Sequence, residues 1–166
     1  MKKRKIAAIP ALLLLVFLGM QLVQPPPSRP VLPGDGPMTD YVSVPKDVEA
    51  LLRQACYDCH SGDTRWPWYS HISPMSWLIA HDVQDGRSSL DFSRWSTDPV
   101  REPTPKQRLT WICRELREDA MPPWMYRMAH PEARLGEAQK ERVCAWSGEA
   151  LERIAASDAA TRDSPP

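Results

Sequence analysis

The sequence predicts an all-α domain preceded by an apolar N-terminal helix, on three observations. Apolar residues recur at helical spacing in several segments. No stretch alternates convincingly with period two. Eighteen prolines punctuate the segments, and proline in or beside a first turn is a helix-start signal. With 166 residues the chain has room for one domain and its appendages, not for two good cores. No internal repeat is visible.

Each element follows from its residues. Ile6 to Val23 is apolar apart from Gln21, and Lys2, Lys3, Arg4 and Lys5 precede it. Its length is near the lower limit for spanning a bilayer, and a basic flank stays on the cytoplasmic side. The run ends Gly19-Met20-Gln21-Leu22-Val23, without the small-residue site of a cleaved signal. Residues 1–23 are therefore expected to be an inner-membrane anchor. The alternative is a signal whose cleavage releases a secreted periplasmic protein. Either way the domain is exported.

Six of the prolines lie between Gln24 and Met38. Residues 24–42 therefore read as a Pro-rich, semi-rigid linker. Residues 43–156 form the predicted domain. Its first helix starts near Pro45, with Val48, Leu51, Leu52 and Ala55 on one stripe. Ser73-Pro74 opens a second, expected over Met75 to Asp85 with Gly86 as the stop. Thr104-Pro105 opens a third, with Leu109, Ile112, Cys113 and Leu116 in line. Leu135-Gly136-Glu137 opens the last, with Val143, Ser147, Ala150 and Ile154 on one side. Residues 157–166 are small and polar and are expected to be a flexible tail.

Charge excludes one class of function. Removing the four N-terminal basic residues from 21 leaves 17 against 21 acidic residues. A mildly acidic domain without a basic stripe is not a nucleic-acid binder.

The chemistry lies in Cys56-Tyr57-Asp58-Cys59-His60, the spacing of a c-type haem attachment site. Two thiols add across the two porphyrin vinyl groups, and two intervening residues set the sulfurs at about that separation. His60 then becomes the proximal iron ligand, its other ring nitrogen donating to a backbone carbonyl. The motif predicts one covalent haem c. A thioredoxin-like redox pair needs a preceding strand, and a zinc site needs a second ligand pair; neither is present. Met121, followed by Pro122-Pro123, is the expected sixth ligand, because the prolines stiffen its loop. Met125 and Met128 are reserves, and His71, His81 and His130 are rivals. All seven Trp fall between Trp66 and Trp146. Trp66, Trp68 and Tyr69 follow the motif closely enough to wall a porphyrin, and Arg65 is a forked donor for a propionate. Cys113 and Cys144 are spare cysteines in an oxidising compartment and are expected to pair.

Several runs resemble the haem-binding domain family of small exported c-type cytochrome-like proteins. They are Cys-Tyr-Asp-Cys-His-Ser at 56–61, Thr64-Arg65-Trp66-Pro67-Trp68-Tyr69, Ser73-Pro74-Met75-Ser76-Trp77-Leu78, His81-Asp82-Val83, Gly86-Arg87, Leu90-Asp91-Phe92-Ser93-Arg94-Trp95, Met121-Pro122-Pro123-Trp124, and Tyr126 with His130-Pro131-Glu132-Ala133-Arg134-Leu135. The resemblance covers about 45 to 150. It implies covalent haem, a cytochrome-c-like helical fold and an exported or membrane-anchored location. It supplies no substrate or partner. In the family the helix before the Met loop usually ends in Gly, where this chain has Asp119-Ala120.

The function expected is one-electron transfer by a membrane-tethered cytochrome with His60/Met121-ligated iron, serving redox partner proteins in the periplasm. No acid–base constellation is evident, so no catalytic residue is assigned. The alternatives are a peroxidase-like haem enzyme or haem sensor with an open sixth position, and an accessory haem domain of a dehydrogenase.

Overall fold

The computed structural model describes residues 2–25, 36–95 and 103–162, the first seven of them by backbone alone. Seven α-helices follow in order: α1 Lys2–Gln21, α2 Lys46–Ala55, α3 Tyr57–His60, α4 Met75–Ser89, α5 Pro105–Arg117, α6 Trp124–Ala129 and α7 Glu137–Arg162. Short 3-10 turns lie at Met38–Asp40, Trp68–His71 and Pro131–Ala133. Among the described residues there is no strand, only an isolated bridge between Gly36 and Trp95. The chain is all-α, as its periodicity predicts.

The scaffold is an antiparallel pair, α5 against α7. Thr104 starts α5 with a capping box: its hydroxyl accepts from Gln107 N at 3.3 Å, and Gln107 Oε1 accepts from Thr104 N at 2.7 Å. Leu109, Ile112 and Leu116 are buried on α5, and Val143, Trp146 and Ala150 on α7. Ser147 Oγ donates to Leu109 O at 2.6 Å, satisfying a buried hydroxyl across the pair. Lys106–Asp158 and Arg117–Glu141 ion pairs mark its two ends. Cys113 and Cys144 are joined by a disulfide between them. Helix α2 packs against α7, burying Val48, Leu52 and Ala55, with Asp47 bound to Arg142 at 2.6 Å. Trp146 fills the centre and donates its indole N–H to Ser43 O at 3.0 Å.

Four boundaries differ from the sequence-based expectation. Residues 36–42 are not linker. Met38 and Val42 are buried, and Met38 N donates to Phe92 O at 2.8 Å. Proline content marked the segment, but its two large apolar side chains have a core to enter. Residues 26–35 of that linker lie outside the described residues. Helix α4 runs past Gly86 to Ser89. Gly86 is not a stop; a Cβ there would meet Cys59 O at 2.7 Å, so its lack of a side chain lets α4 approach α3. Helix α7 continues through Ser157–Arg162, an exposed extension where a flexible tail was expected. Thr161 Oγ1 and Arg162 Nε bond carbonyls four residues back and support it. Residues 163–166 lie outside the described residues.

At the other end, α1 stops at Gln21, two residues short of the expected Val23. Among the described residues no helix is long and apolar enough to cross a membrane. Gln21 and the residues after it turn back to the domain: Gln21 Oε1 accepts from Ser73 N at 3.0 Å, and Gln21 Nε2 donates to Ser73 O at 3.2 Å.

Candidate haem site

The motif sits where α2 ends and α3 begins. Cys56 breaks α2, with its N–H still bonded to Leu52 O, and its own carbonyl accepts from Cys59 and His60 N–H. One short turn therefore carries Cys56, Cys59 and His60 together. Behind it Tyr57 stacks on buried Phe92 at 4.9 Å, and Phe92 N donates to His60 O at 2.7 Å. Gly86 lets α4 close over the Cys59 carbonyl.

The electrostatics suit a ligand turn. Burial pushes the Cys56 thiol up to about 12, with Cys59 contributing. Burial likewise pushes Cys59 to about 11, reinforced by Asp82 and Asp58. Burial lowers His60 below the ordinary histidine value, outweighing its hydrogen bond to Leu90 O, so the imidazole is neutral. His60 Nδ1 lies 2.9 Å from Leu90 O. Only a protonated Nδ1 can donate there, which leaves the Nε2 lone pair for a metal.

Asp58, between the two cysteines, is the hub of the site. It is buried and accepts from Arg65 N at 3.0 Å, Arg65 Nε and Nη2 at 3.2 Å, and Tyr126 Oη at 2.6 Å. Burial works to raise the Asp58 carboxyl, but the hydrogen bonds from Arg65 and Tyr126 outweigh it and hold it below the ordinary carboxylate value. Nε and Nη2 of the Arg65 fork, expected to serve a propionate, are used here on Asp58. Thr64 Oγ1 donates to Asp58 O at 2.8 Å and accepts from Arg87 Nη2 at 2.8 Å. Arg87 Nε is buried without a hydrogen-bond partner. Its unused N–H is a donor of the kind an acid group could take up.

The Met121 loop reaches this hub through α6. Asp119 takes the left-handed φ of 53°, and Ala120 is spared it. Aspartate tolerates that region better than most residues. Lys140 at 2.6 Å and Arg127 at 3.6 Å hold its carboxylate. Ala120 N and Met121 N both donate to Glu115 O, at 3.0 and 3.2 Å. Met121 is partly buried and precedes a cis proline; Met125 and Met128 are exposed. Five residues on, Tyr126 bonds Asp58, so loop and motif share one anchor.

The rival histidines are accounted for. His130 stacks on Tyr126 at 4.3 Å, meets Tyr69 Oη through Nε2 at 3.0 Å and faces Glu132 at 3.3 Å. His81 is exposed beside Asp85, and His71 is exposed. Trp66 and Trp68 are 41% and 76% exposed, and Tyr69 is half-buried against His130. Trp124, at the start of α6, is also exposed. Asp58, Tyr126, Arg87 and the Leu90 carbonyl escaped sequence reasoning. All four positions lie in the resembling runs, and that was the only signal they carried.

The donor set therefore fits a haem: two thiols and an imidazole on one turn, an orphaned buried guanidinium nitrogen and an aromatic surface nearby. No curated protein matches the chain, and no solved structure matches it. The haem-binding domain family matches residues 15–149. That is well over half of the sequence, and the chain belongs to this family of haem-binding proteins.

Proposed function

We propose that this chain is a c-type cytochrome, a membrane-tethered one-electron carrier with its domain on the periplasmic side. The observation that carries the reading is the His60–Leu90 hydrogen bond within the Cys56–His60 turn. It fixes the tautomer in which Nε2 is a metal ligand, beside two thiols at the attachment spacing.

When bound, the haem supplies reversible one-electron exchange at its iron. The residues divide the remaining work. Cys56 and Cys59 hold the porphyrin through thioether bonds, and His60 supplies the proximal nitrogen. Met121 supplies the sixth ligand from a loop braced by Asp119 and Tyr126. Arg87 Nε donates to a propionate, and Trp66, Trp68 and Tyr69 exclude water from the porphyrin face. The Cys113–Cys144 disulfide supports an oxidising compartment. The basic residues Lys2 to Lys5 in the first turn of α1 support an anchor with its start in the cytoplasm. A peroxidase-like enzyme needs a free distal acid–base group. His130 has a partner on each ring nitrogen, and His71 and His81 are solvated, which favours the carrier.

The test is a pyridine haemochrome spectrum of protein matured in a host able to attach haem c. The expected result is one haem per chain that stays with the polypeptide after acidic acetone extraction. Extractable haem overturns the covalent reading. Met121→Ala should keep the haem but let the reduced protein bind carbon monoxide rapidly, where the parent resists it. Equal rates overturn Met121 as ligand and favour an open iron.

A further inference from the structure

Helix α1 is not a free leader. Gln21 and Ser73 form a reciprocal pair, the Gln21 amide bonding both the backbone N–H and the C=O of Ser73, with each bond at 3.0–3.2 Å. Two residues on, Val23 O accepts from the Trp77 indole at 2.7 Å. Gln21 is the one polar residue in the apolar run, and it is used to grip the start of α4. Along α1 the side chains from Leu12 to Leu18 remain 41–67% exposed.

The surface beside that junction is also apolar. Ile72, Met75 and Leu78 are 38%, 41% and 39% exposed at the start of α4. One turn later the exposed positions become His81, Asp82 and Asp85. The apolar surface of α4 is thus confined to the end that touches α1 and gives way to acidic residues away from it. Such a gradient suits a boundary between lipid and water, and an indole at that level is the usual interfacial anchor.

We propose that Ile72, Met75 and Leu78 form a lipid-contact face, seated in the headgroup–acyl boundary of the bilayer by the Gln21–Ser73 clasp. The proposal rests on the membrane-tether reading and deepens it: the domain is docked on its anchor in one orientation. No described helix is long and apolar enough to cross a bilayer, so a tether through α1 needs further apolar contact from flanking residues at the interface. Docking this face extends the apolar contact at the end where the helix runs out.

The test uses the full-length, haem-loaded protein in phosphatidylcholine–phosphatidylglycerol nanodiscs, with photoactivatable p-benzoylphenylalanine in place of Leu14, Leu78 or Glu152, one site per sample. Lipid adducts are expected at positions 14 and 78 and not at 152, on the exposed side of α7. Gln21→Ala should cut the adduct at 78 by roughly tenfold, the weight of one or two hydrogen bonds, and leave that at 14 unchanged. Adducts at 14 without any at 78 overturn the face and spare the tether. None at either overturns both. Adducts at 78 that join polypeptide or haem mean the face is covered from within and overturn the proposal, as does a signal at 78 that ignores Gln21→Ala.

Discussion

The two halves of the domain are held together by different physics. The scaffold of α2, α5 and α7 is apolar inside, stapled by a disulfide and closed by Trp146 and Leu109, both fully buried. The site half, comprising α3, the 64–69 segment and α6, is joined by hydrogen bonds that converge on one carboxylate, while Trp66, Trp68 and Trp124 stay exposed. A half built on packing resists local change, because neighbours share its energy. A half built on one acceptor depends on that acceptor. Where a domain must take up a large flat cofactor, leaving aromatic surface uncovered and fixing the backbone by polar contacts is a workable division.

Substitutions can break or sharpen that contrast. The largest effect is expected from Trp146→Ala, which removes a fully buried indole from the scaffold. It should cost about 3–5 kcal/mol, read as a lower denaturant midpoint at unchanged slope. Next, Cys113→Ala with Cys144→Ala opens a loop spanning 31 positions. Chain-entropy reasoning puts the loss at about 3–4 kcal/mol, measured by thermal unfolding beside the oxidised parent. Both should lower the stability of the whole domain.

Asp58→Asn keeps the shape of the hub but removes its charge. It should cost about 1–3 kcal/mol, and hydrogen exchange should rise in residues 64–69 and 124–129 while α5 and α7 stay protected. Exchange rising equally in both halves would erase the distinction. Arg65→Ala is the smallest change. Its side chain is 64% exposed, so loss of its pairing with Asp58 should cost under about 1 kcal/mol by the same denaturation assay. A cost equal to that of Asp58→Asn would make the arginine, not the carboxylate, the centre of the hub.

Much of the scaffold was legible in advance. Val48, Leu52, Leu109, Leu116, Val143 and Ala150 lie on the predicted stripes and are all buried. The helix start at Thr104-Pro105 was legible, though its capping box with Gln107 was not read. The site was legible in part, since the motif itself announces its chemistry and predicts a carbonyl partner for His60. Which carbonyl it would be, thirty positions away at Leu90, was not. Nor was Gly86 legible as a contact point: glycine after an apolar run reads as a stop unless the opposing backbone is known.

By itself the sequence determined the helices, through side-chain spacing that acts within a turn or two, and the attachment turn, whose five residues are contiguous. Tertiary structure alone decided which polar groups would meet. Asp58 finds Tyr126 across 68 positions, and Gln21 finds Ser73 across 52. A hydrogen bond leaves no periodic trace in either partner, so such pairings exist only once the chain has packed and every buried donor and acceptor must find a partner.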